Sequence, residues 1–546
     1  MSAPVDPAPD YDVVVVGAGF AGLYALYALR AEGLSVVGFE SGSDVGGTWF
    51  WNRYPGARCD TESLDYSYSF DKDLQQDWTW SERYATQPEI LRYLNHVADR
   101  FALRPLIRFH TEVTSAVYDE DSATWTVGTS TADTVRARYV VMAAGVLSSL
   151  KELDFPGLER FRGTRLHTAR WPHEGVDLSG QRVAVIGTGS SGVQLVPRLA
   201  PQTAHLHVLQ RTANFSVPAR NRPVLPEEAA REKAGYDERR AEIRVSRAGM
   251  KEIPAEGSAL DHDAAERTRI FEWRWAYGGG PTFLRTFTDL ALDEQANATA
   301  ADFVRAKIRE TVADPETADS LSPKGFPIGT KRLCVDTDYY ATFNRPDVTL
   351  VDLRKTPLVE FTENGIRTTA GEIELDAVVF ATGFDALTGA ITRIDVRGRG
   401  GETVAEHWAD GPRTMLGVAV AGFPNLFTVT GPGSPSVLGN VVASIEQHVE
   451  WIVDCLRHAR EVGAVSVEAT REAEEDWSRQ AAEAAAQTLM ARNASWYTGA
   501  NIPGKARQLL PYAGGVGRFR EICDDVAARG YPGFHFTVPT PTGHQA

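Results

Sequence analysis

Two hexapeptides in this chain share one pattern. Gly17-Ala18-Gly19-Phe20-Ala21-Gly22 and Gly187-Thr188-Gly189-Ser190-Ser191-Gly192 both read G-x-G-x-x-G. Each follows an apolar run and opens a stretch of helical spacing. There the first glycine permits a tight turn, the second lets the backbone approach a pyrophosphate, and the third lets the helix pack on the strand. The helix N-terminus then faces the phosphate charge. Both motifs predict dinucleotide sites; the alternative is a glycine-rich turn without a ligand.

The residue at the ribose position tells the two apart. Glu40 lies eighteen residues after Gly22, at the end of the next strand. A carboxylate there accepts hydrogen bonds from ribose hydroxyls and would repel a 2′-phosphate. This site suits FAD or NAD. Arg211 lies nineteen residues after Gly192, within Gln210-Arg211-Thr212. A guanidinium pairs with a 2′-phosphate through two hydrogen bonds and cannot accept one from a ribose. This site prefers NADP(H), the alternative being an ordinary surface salt bridge. Two sites of opposite preference imply a flavin reduced by NADPH.

The elements that must position these residues are legible from periodicity. Residues 11–17 read as a buried parallel strand, 20–31 as a helix ended by Gly33, and 35–40 as the next strand. A second strand–helix–strand unit runs through 182–187, 190–200 and 205–210. Further buried strands end at Gly145 and at Gly383. The fold expected is α/β, with two Rossmann-like dinucleotide-binding domains, the second inserted into the first. The domain reading is 1–148 for the first part of an FAD-binding domain, 149–385 for an NADP-binding domain, and 386–546 for the rest of the first domain with a C-terminal loop. Residues 217–326 carry Ala, Glu and Arg at helical spacing and read as a mostly helical insertion, its helices largely solvated.

The composition narrows the function. A chain of 546 residues exceeds one ordinary core. The formal net charge of -16 argues against nucleic acid or an anionic membrane as partner. The longest apolar stretches, 13–16 and 139–144, are far too short to span a bilayer. The four cysteines, Cys59, Cys334, Cys455 and Cys523, form no C-x-x-C pair. That suits a reducing cytoplasm and removes the dithiol that a disulfide reductase needs. The histidines, His110, His205 and His207 among them, show no metal spacing. The first ten residues lack a secretion signal and read as a frayed tail. A monomer or weak homo-oligomer is expected.

Two longer patterns select the reaction. Phe161-Arg162-Gly163-Thr164-Arg165-Leu166-His167-Thr168-Ala169-Arg170-Trp171-Pro172 is a complete F-x-G-x-x-x-H-x-x-x-W-P. The stretch from Gly46-Gly47-Thr48-Trp49 through Tyr54-Pro55-Gly56 to Asp60 fits [AG]-G-x-W-x-x-x-x-[FY]-P-[GM]-x-x-x-D without departure. With GTKR at 329–332, ATGFD at 381–385, GPGSPS at 431–436 and SWYTGANIPGK at 495–505, the chain resembles the type I Baeyer–Villiger monooxygenases over nearly its whole length. The stretch 433–440 is similar to the substrate-side loop of the phenylacetone and steroid members of that family.

The resemblance implies FAD, NADPH, O2 and a ketone, with an ester or lactone as product and sulfoxidation as a side activity. The oxidant implied is an anionic flavin C4a-peroxide. Arg332 is implied as the fixed cation that favours the anion, Asp60 as the carboxylate that holds Arg332, and Lys331 as a second clamp on the 2′-phosphate beside Arg211. Gly47, Thr48, Trp49, Tyr66, Phe20 and Val113 are expected on the flavin side. Thr188, Ser190, Ser191, Gln194 and Thr212 are expected on the NADP side. Trp496 and Tyr497 resemble a mobile loop that folds over NADP+. His167 resembles a residue that couples domain movement, not a general base, and Gly163 is expected to mark a special backbone angle. The competing readings are a flavin monooxygenase for amines or sulfides, a disulfide reductase, and a silent nucleotide sensor.

Overall fold

The computed structural model describes residues 8–539; most of the proposed N-terminal tail lies outside them. Strand β1 (Tyr11–Val16), helix α1 (Phe20–Ala31) and strand β2 (Val36–Phe39) form the first unit. Short helices α2 (Thr48–Trp51) and α3 (Lys72–Asp77) and the longer α4 (Gln87–Arg100) follow. Strands β3 (Ile107–Arg108), β4 (Val113–Asp119), β5 (Thr124–Thr129) and β6 (Thr134–Met142) complete the N-terminal part. The second unit runs β7 (Thr164–His167), β8 (Arg182–Ile186), helix α5 (Ser190–Leu199), β9 (His205–Gln210) and β10 (Ser216–Pro218). Six helices come next: α6 (Pro226–Ala234), α7 (Tyr236–Val245), α8 (Ala264–Tyr277), α9 (Gly280–Leu284), α10 (Glu294–Thr311) and α11 (Pro315–Leu321). Strands β11 (Cys334–Asp336), β12 (Val348–Asp352), the antiparallel trio β13 (Leu358–Phe361), β14 (Gly365–Thr368) and β15 (Gly371–Glu374), and β16 (Ala377–Phe380) close it.

The first sheet has the order β17-β4-β5-β6-β1-β2-β3, where β17 is Asp395–Arg397; β18 (Leu426–Thr428) also pairs with β6. The last two strands come from the C-terminal part, so the chain returns to its first sheet after building the second. The second sheet is wholly parallel, in the order β12-β9-β8-β16-β7. Its interruption of the first makes the insertion a matter of topology.

The reason these runs are strands is visible in β1. Val13 and Val15 belong to the core that holds α1, and Val14 and Val16 to a second core with Trp125 and Val127. A strand buried on both faces needs an unbroken apolar, β-branched run, and each such side chain contributes about 1.5–3 kcal/mol by burial. β8 repeats this, with Val183 and Val185 on one side and Ala184 and Ile186 on the other. Parallel strands place all their C-terminal ends on one edge, and the two glycine turns lie there, after β1 and after β8.

The helical insertion departs from the solvated reading. Phe271, Phe283, Phe287, Val304 and Ile308 join the core of the second sheet. Within the insertion, the helical course breaks at Gly235, whose N–H closes α6 onto Arg231 and Glu232. Beyond that break, α7 is pinned to the first domain. Arg239, 6% exposed, meets Asp65 at 2.6 Å, and Arg240 donates to Gln75 and Ser67.

Gly163 is expected to mark a special backbone angle, but its φ is not positive. Its necessity is space: a Cβ there would lie 2.4 Å from the Phe161 ring and 2.5 Å from the Asp376 carbonyl. The rest of the fingerprint crosses between domains. It runs along edge strand β7, then places the Arg170 guanidinium 4.3 Å from the Trp51 ring centre, and His173, just after it, packs against Phe50.

His448 is fully buried on the long helix Val441–Glu461, with Nδ1 accepting from the Thr430 N–H at 3.1 Å. Burial pushes its pKa down to about 4, and does the same to His167 and His207. A histidine whose folded pKa is depressed holds fewer protons than the unfolded chain between that value and the ordinary one near 6.5. Its contribution is whole above that window and is lost as pH falls through it. Melting temperature should therefore fall from about pH 6.5 towards about pH 4, and His448→Gln should make that slope shallower. An unchanged slope in a folded His448→Gln variant would contradict this assignment.

Candidate active site

The first glycine turn is closed by sterics. A Cβ at Gly22 would lie 1.8 Å from the Gly17 carbonyl oxygen, so only glycine lets α1 pack this near β1. Gly19 faces Gly47 across the turn, and Gly47 opens α2 with Thr48 and Trp49. Glu40 is 5% exposed at the end of β2. Its carboxylate accepts from the Ala18 N–H at 2.9 Å and the Gly42 N–H at 2.7 Å. Oε1 also accepts from the Ser41 hydroxyl at 3.3 Å, and Oε2 keeps a further lone pair for a ribose hydroxyl. This cradle fits a flavin adenine dinucleotide. Trp49 Nε1 donates to Tyr66 Oη at 3.1 Å, and Phe20 packs edge-on against Tyr66 at 5.1 Å. Val113 starts β4 with its side chain in the core, so its contribution to a ligand is confined to its backbone.

The second turn repeats the geometry. A Cβ at Gly192 would lie 2.1 Å from the Gly187 carbonyl oxygen, whereas Gly189 meets nothing within 4 Å and leaves room for a pyrophosphate. Thr188 Oγ1 donates to the Thr212 carbonyl at 3.0 Å and fixes the turn against the end of β9. Ser190 sits at the start of α5 beside Cys334. Ser191 is within hydrogen-bonding reach of Tyr54. Gln194 is turned away from the turn and towards the first domain. It accepts from Tyr54 Oη at 2.7 Å and donates to the Arg58 carbonyl at 3.1 Å.

Arg211 and Lys331 come together from β9 and from the segment after α11. Burial lowers the Lys331 pKa, and the Arg211 charge lowers it further. Lys331 Nζ lies 4.4 Å from the Phe326 ring centre. Neither cation has an acidic partner among the described residues. Two like charges held together without a carboxylate make a site that fits a phosphate.

Arg332 is the meeting point of three parts of the chain. Its Nε and Nη2 donate to the two oxygens of Asp60 at 2.8 and 2.7 Å, and Nη1 donates to the Val437 carbonyl at 2.7 Å. Asp60 belongs to the first domain, Arg332 to the segment after the helical insertion, and Val437 to the C-terminal part. The side chains are 27% and 22% exposed, so the pair is only partly shielded from solvent. Burial alone would raise the Asp60 pKa; Arg332 overrides it and holds the carboxyl below its usual range. Burial alone would lower the Arg332 pKa; Asp60 overrides that too and raises it further. Both are charged at neutral pH. Three of the five guanidinium N–H groups are used, which leaves one on each of Nη1 and Nη2. The phenol of Tyr497, 3% exposed, lies within hydrogen-bonding reach of Arg332.

His167 is neutral, with Nδ1 accepting from the Ala169 N–H at 3.1 Å. It sits on the far sheet edge as a structural acceptor. The C-terminal loop is tied down by Lys505 Nζ to Asp385 at 2.6 Å and by Asn501 to the Phe384 carbonyl at 2.7 Å. Trp496 is half-buried in that loop, its ring centre 4.3 Å from that of Tyr497 and tilted by 51°. The Val437 carbonyl, the Gln194 clamp and the Lys505–Asp385 pair carried no signal in residue spacing. Each joins segments far apart in sequence. All four cysteines are free and buried. Among the described residues no metal-ligand cluster occurs, and no helix is long and apolar enough to cross a membrane.

Residues 14–270 match the family described as pyridine nucleotide-disulphide oxidoreductase. A Baeyer–Villiger monooxygenase of Pseudooceanicola batsensis is 46% identical over 96% of this chain and 95% of its own length. A phenazine N-monooxygenase of Lysobacter antibioticus is 45% identical, covering 96% of each chain. An oxidized steroid monooxygenase bound to NADP superposes with a TM-score of 0.93 at 51% identity, covering 97% of this chain and 100% of that one. A closed cyclohexanone monooxygenase gives 0.95 at 47%, covering 97% and 99%. With two dinucleotide cradles and a clamped arginine between them, the chain belongs to the Baeyer–Villiger monooxygenases.

Proposed function

We propose that Arg332, held by Asp60, is the charge that directs this enzyme's NADPH- and O2-dependent oxidation of ketones to esters or lactones. The observation that supports it most is the two-point contact of Arg332 with Asp60, made across the domain boundary. The first domain, with Glu40 and the Gly17–Gly22 turn, binds FAD. The second domain, with the Gly187–Gly192 turn, Arg211 and Lys331, binds NADPH. Bound FAD, reduced by NADPH, supplies the activation of O2. Overall, a ketone, O2, NADPH and a proton give an ester, NADP+ and water.

What the chain's own residues do follows from their geometry. Arg332 cannot lose its proton, so its field favours an anionic oxidant and then the alkoxide oxygen on the attacked carbonyl. Asp60 fixes the guanidinium plane, and the Tyr497 phenol takes up one of the remaining N–H groups. Val437 fixes the remaining edge. The loop carrying Trp496 and Tyr497, anchored by Lys505 and Asn501, keeps water out, which matters because protons would divert the oxidant to H2O2.

A second reading, oxygenation of an aromatic nitrogen, draws on the phenazine N-monooxygenase relative. It uses the same cofactor sites. Turnover of a phenazine faster than of any ketone would favour it.

Arg332→Ala should keep its flavin but form at least about 100-fold less ester, the scale of losing one preorganised electrostatic contact. Product chromatography against NADPH consumption measures this, and an unchanged ester yield would remove Arg332 from the role. Arg211→Ala should raise the KM for NADPH about tenfold or more, with little effect on NADH. An equal effect on both coenzymes would take Arg211 out of the 2′-phosphate site.

A further inference from the structure

Arg332 is gripped by acceptors from two parts of the chain, the Asp60 carboxylate and the Val437 carbonyl. The guanidinium keeps its direction only while those acceptors keep their spacing. One side chain links the segments that carry them. Asn440 is fully buried, three residues after Val437, and its Nδ2 donates to the Asp65 carbonyl at 2.7 Å. Asp65 lies five residues after Asp60. The links close a ring, from Asp60 through Arg332, Val437, Asn440 and Asp65 back to Asp60.

Both stretches of chain inside that ring are short and braced. Between Asp60 and Asp65, the Ser63 N–H donates to the Arg83 carbonyl at 2.8 Å. The Asp65 and Tyr66 N–H groups donate to the Glu62 carbonyl at 3.0 and 2.9 Å. On the other side, Val437 lies in the single 3-10 turn Ser436–Leu438, where the Leu438 N–H donates to the Pro435 carbonyl at 3.0 Å. Ser436 has a φ of 41°, a left-handed conformation that persists where the surroundings impose it. Gly439 leaves no slack. A Cβ there would lie 2.6 Å from Val516 Cγ2 and 2.8 Å from the Ala248 carbonyl oxygen.

Asn440 uses each of its polar groups. Its N–H donates to the Ala248 carbonyl at 2.7 Å, and its own carbonyl accepts from the Ser444 N–H at 3.2 Å. Its Oδ1 accepts from the Val442 N–H at 3.1 Å and caps the long helix Val441–Glu461. Ser or Asp could serve that cap equally well. Among these caps, only Asn adds an N–H donor on a second side-chain atom, and that donor is the arm to Asp65. Asp65 also takes the helical insertion with both carboxylate oxygens, from Arg239 Nε at 2.6 Å and from the Lys251 N–H at 3.0 Å.

We propose that Asn440 is a positioning residue for the oxygenation. By tying the Val437 turn to the segment of Asp60 and Asp65, it sets the spacing of the two acceptors that aim Arg332. The inference rests on the reading of Arg332 above and extends it to a residue that does not touch the guanidinium.

The test uses Asn440→Asp and Asn440→Ser, each loaded with FAD. Both keep an oxygen for the helix cap; the first replaces the donor with an acceptor, and the second is too short to reach Asp65. Asn425→Asp is the control. Asn425 is as deeply buried in the C-terminal part, with Nδ2 donating to the Val465 carbonyl at 3.1 Å and Oδ1 accepting from the Val467 N–H at 2.8 Å, both outside the ring. The readouts are FAD content, the rate at which NADPH bleaches the flavin without oxygen, the rate of H2O2 release without ketone, and ester formed per NADPH with phenylacetone or cyclohexanone. In both Asn440 variants the ester per NADPH should fall about fivefold and H2O2 release should rise about fivefold, the scale of one lost hydrogen bond, with FAD content and bleaching rate within about twofold of wild type. Asn425→Asp should leave the ester yield unchanged. Wild-type ester yield and H2O2 release in both Asn440 variants overturn the positioning role and leave the ketone reading intact. An equal fall in Asn425→Asp, or loss of FAD or slowed bleaching in the Asn440 variants, shows general loosening and also overturns it. If the wild type makes no ester from either ketone while H2O2 release rises in the Asn440 variants alone, the positioning role stands and the ketone reading falls.

Discussion

Three segments far apart in sequence converge on one ion pair. Arg332 and Asp60 are each only partly exposed, and each would be weakened by burial alone. Their two-point contact reverses that for both. A partly desolvated pair of this kind is costly to break, because removing one partner leaves the other charged and uncompensated. It is also directional. The guanidinium cannot rotate without losing two hydrogen bonds to Asp60 and one to Val437. The fold's task is to bring three distant segments to this point.

The topology accomplishes that by interruption. The first sheet is left after β6, the second sheet is built with its helical insertion, and the chain returns through β17 and β18. Asp60 then comes from before the interruption, Arg332 from within it, and Val437 from after it. Contacts across the boundary hold the arrangement. Gln194 reaches Tyr54 and Arg58, Arg239 reaches Asp65, and Arg170 lies on Trp51. The fingerprint around His167 belongs to this set. Its histidine is a neutral acceptor within an edge strand, and its last residues grip the first domain.

How much of this the sequence carries depends on the range of the interaction. The glycine turns, Glu40 and Arg211 are local, because strand, turn and helix follow one another and the spacing carries the geometry. The contrast between an acid and a base at the ribose position is readable for the same reason. The Trp49–Tyr66 hydrogen bond, the Gln194 clamp and the Val437 carbonyl are not local. They depend on how sheets and loops pack, and no period or spacing encodes them. Gly163 shows a subtler limit. Its importance was legible, but its cause is a close approach of Phe161 and Asp376, not a backbone angle. The helices after 226 were legible as helices, while the burial of Arg239 and Arg240 against the first domain was not, since their charge made them look solvated.

The proposed reaction depends most directly on Asp60 acting through Arg332. Turnover under isotopically labelled O2, with wild type and Asp60→Ala both loaded with FAD and a ketone, separates the fates of the oxygen. The wild type should place one labelled atom in the ester and the other in water for each NADPH consumed. With Arg332 no longer held, the variant should still oxidise NADPH but release most of the label as H2O2. Labelled ester formed by Asp60→Ala at the wild-type yield per NADPH would contradict the account, because it would show that the reaction does not need the arginine fixed in place.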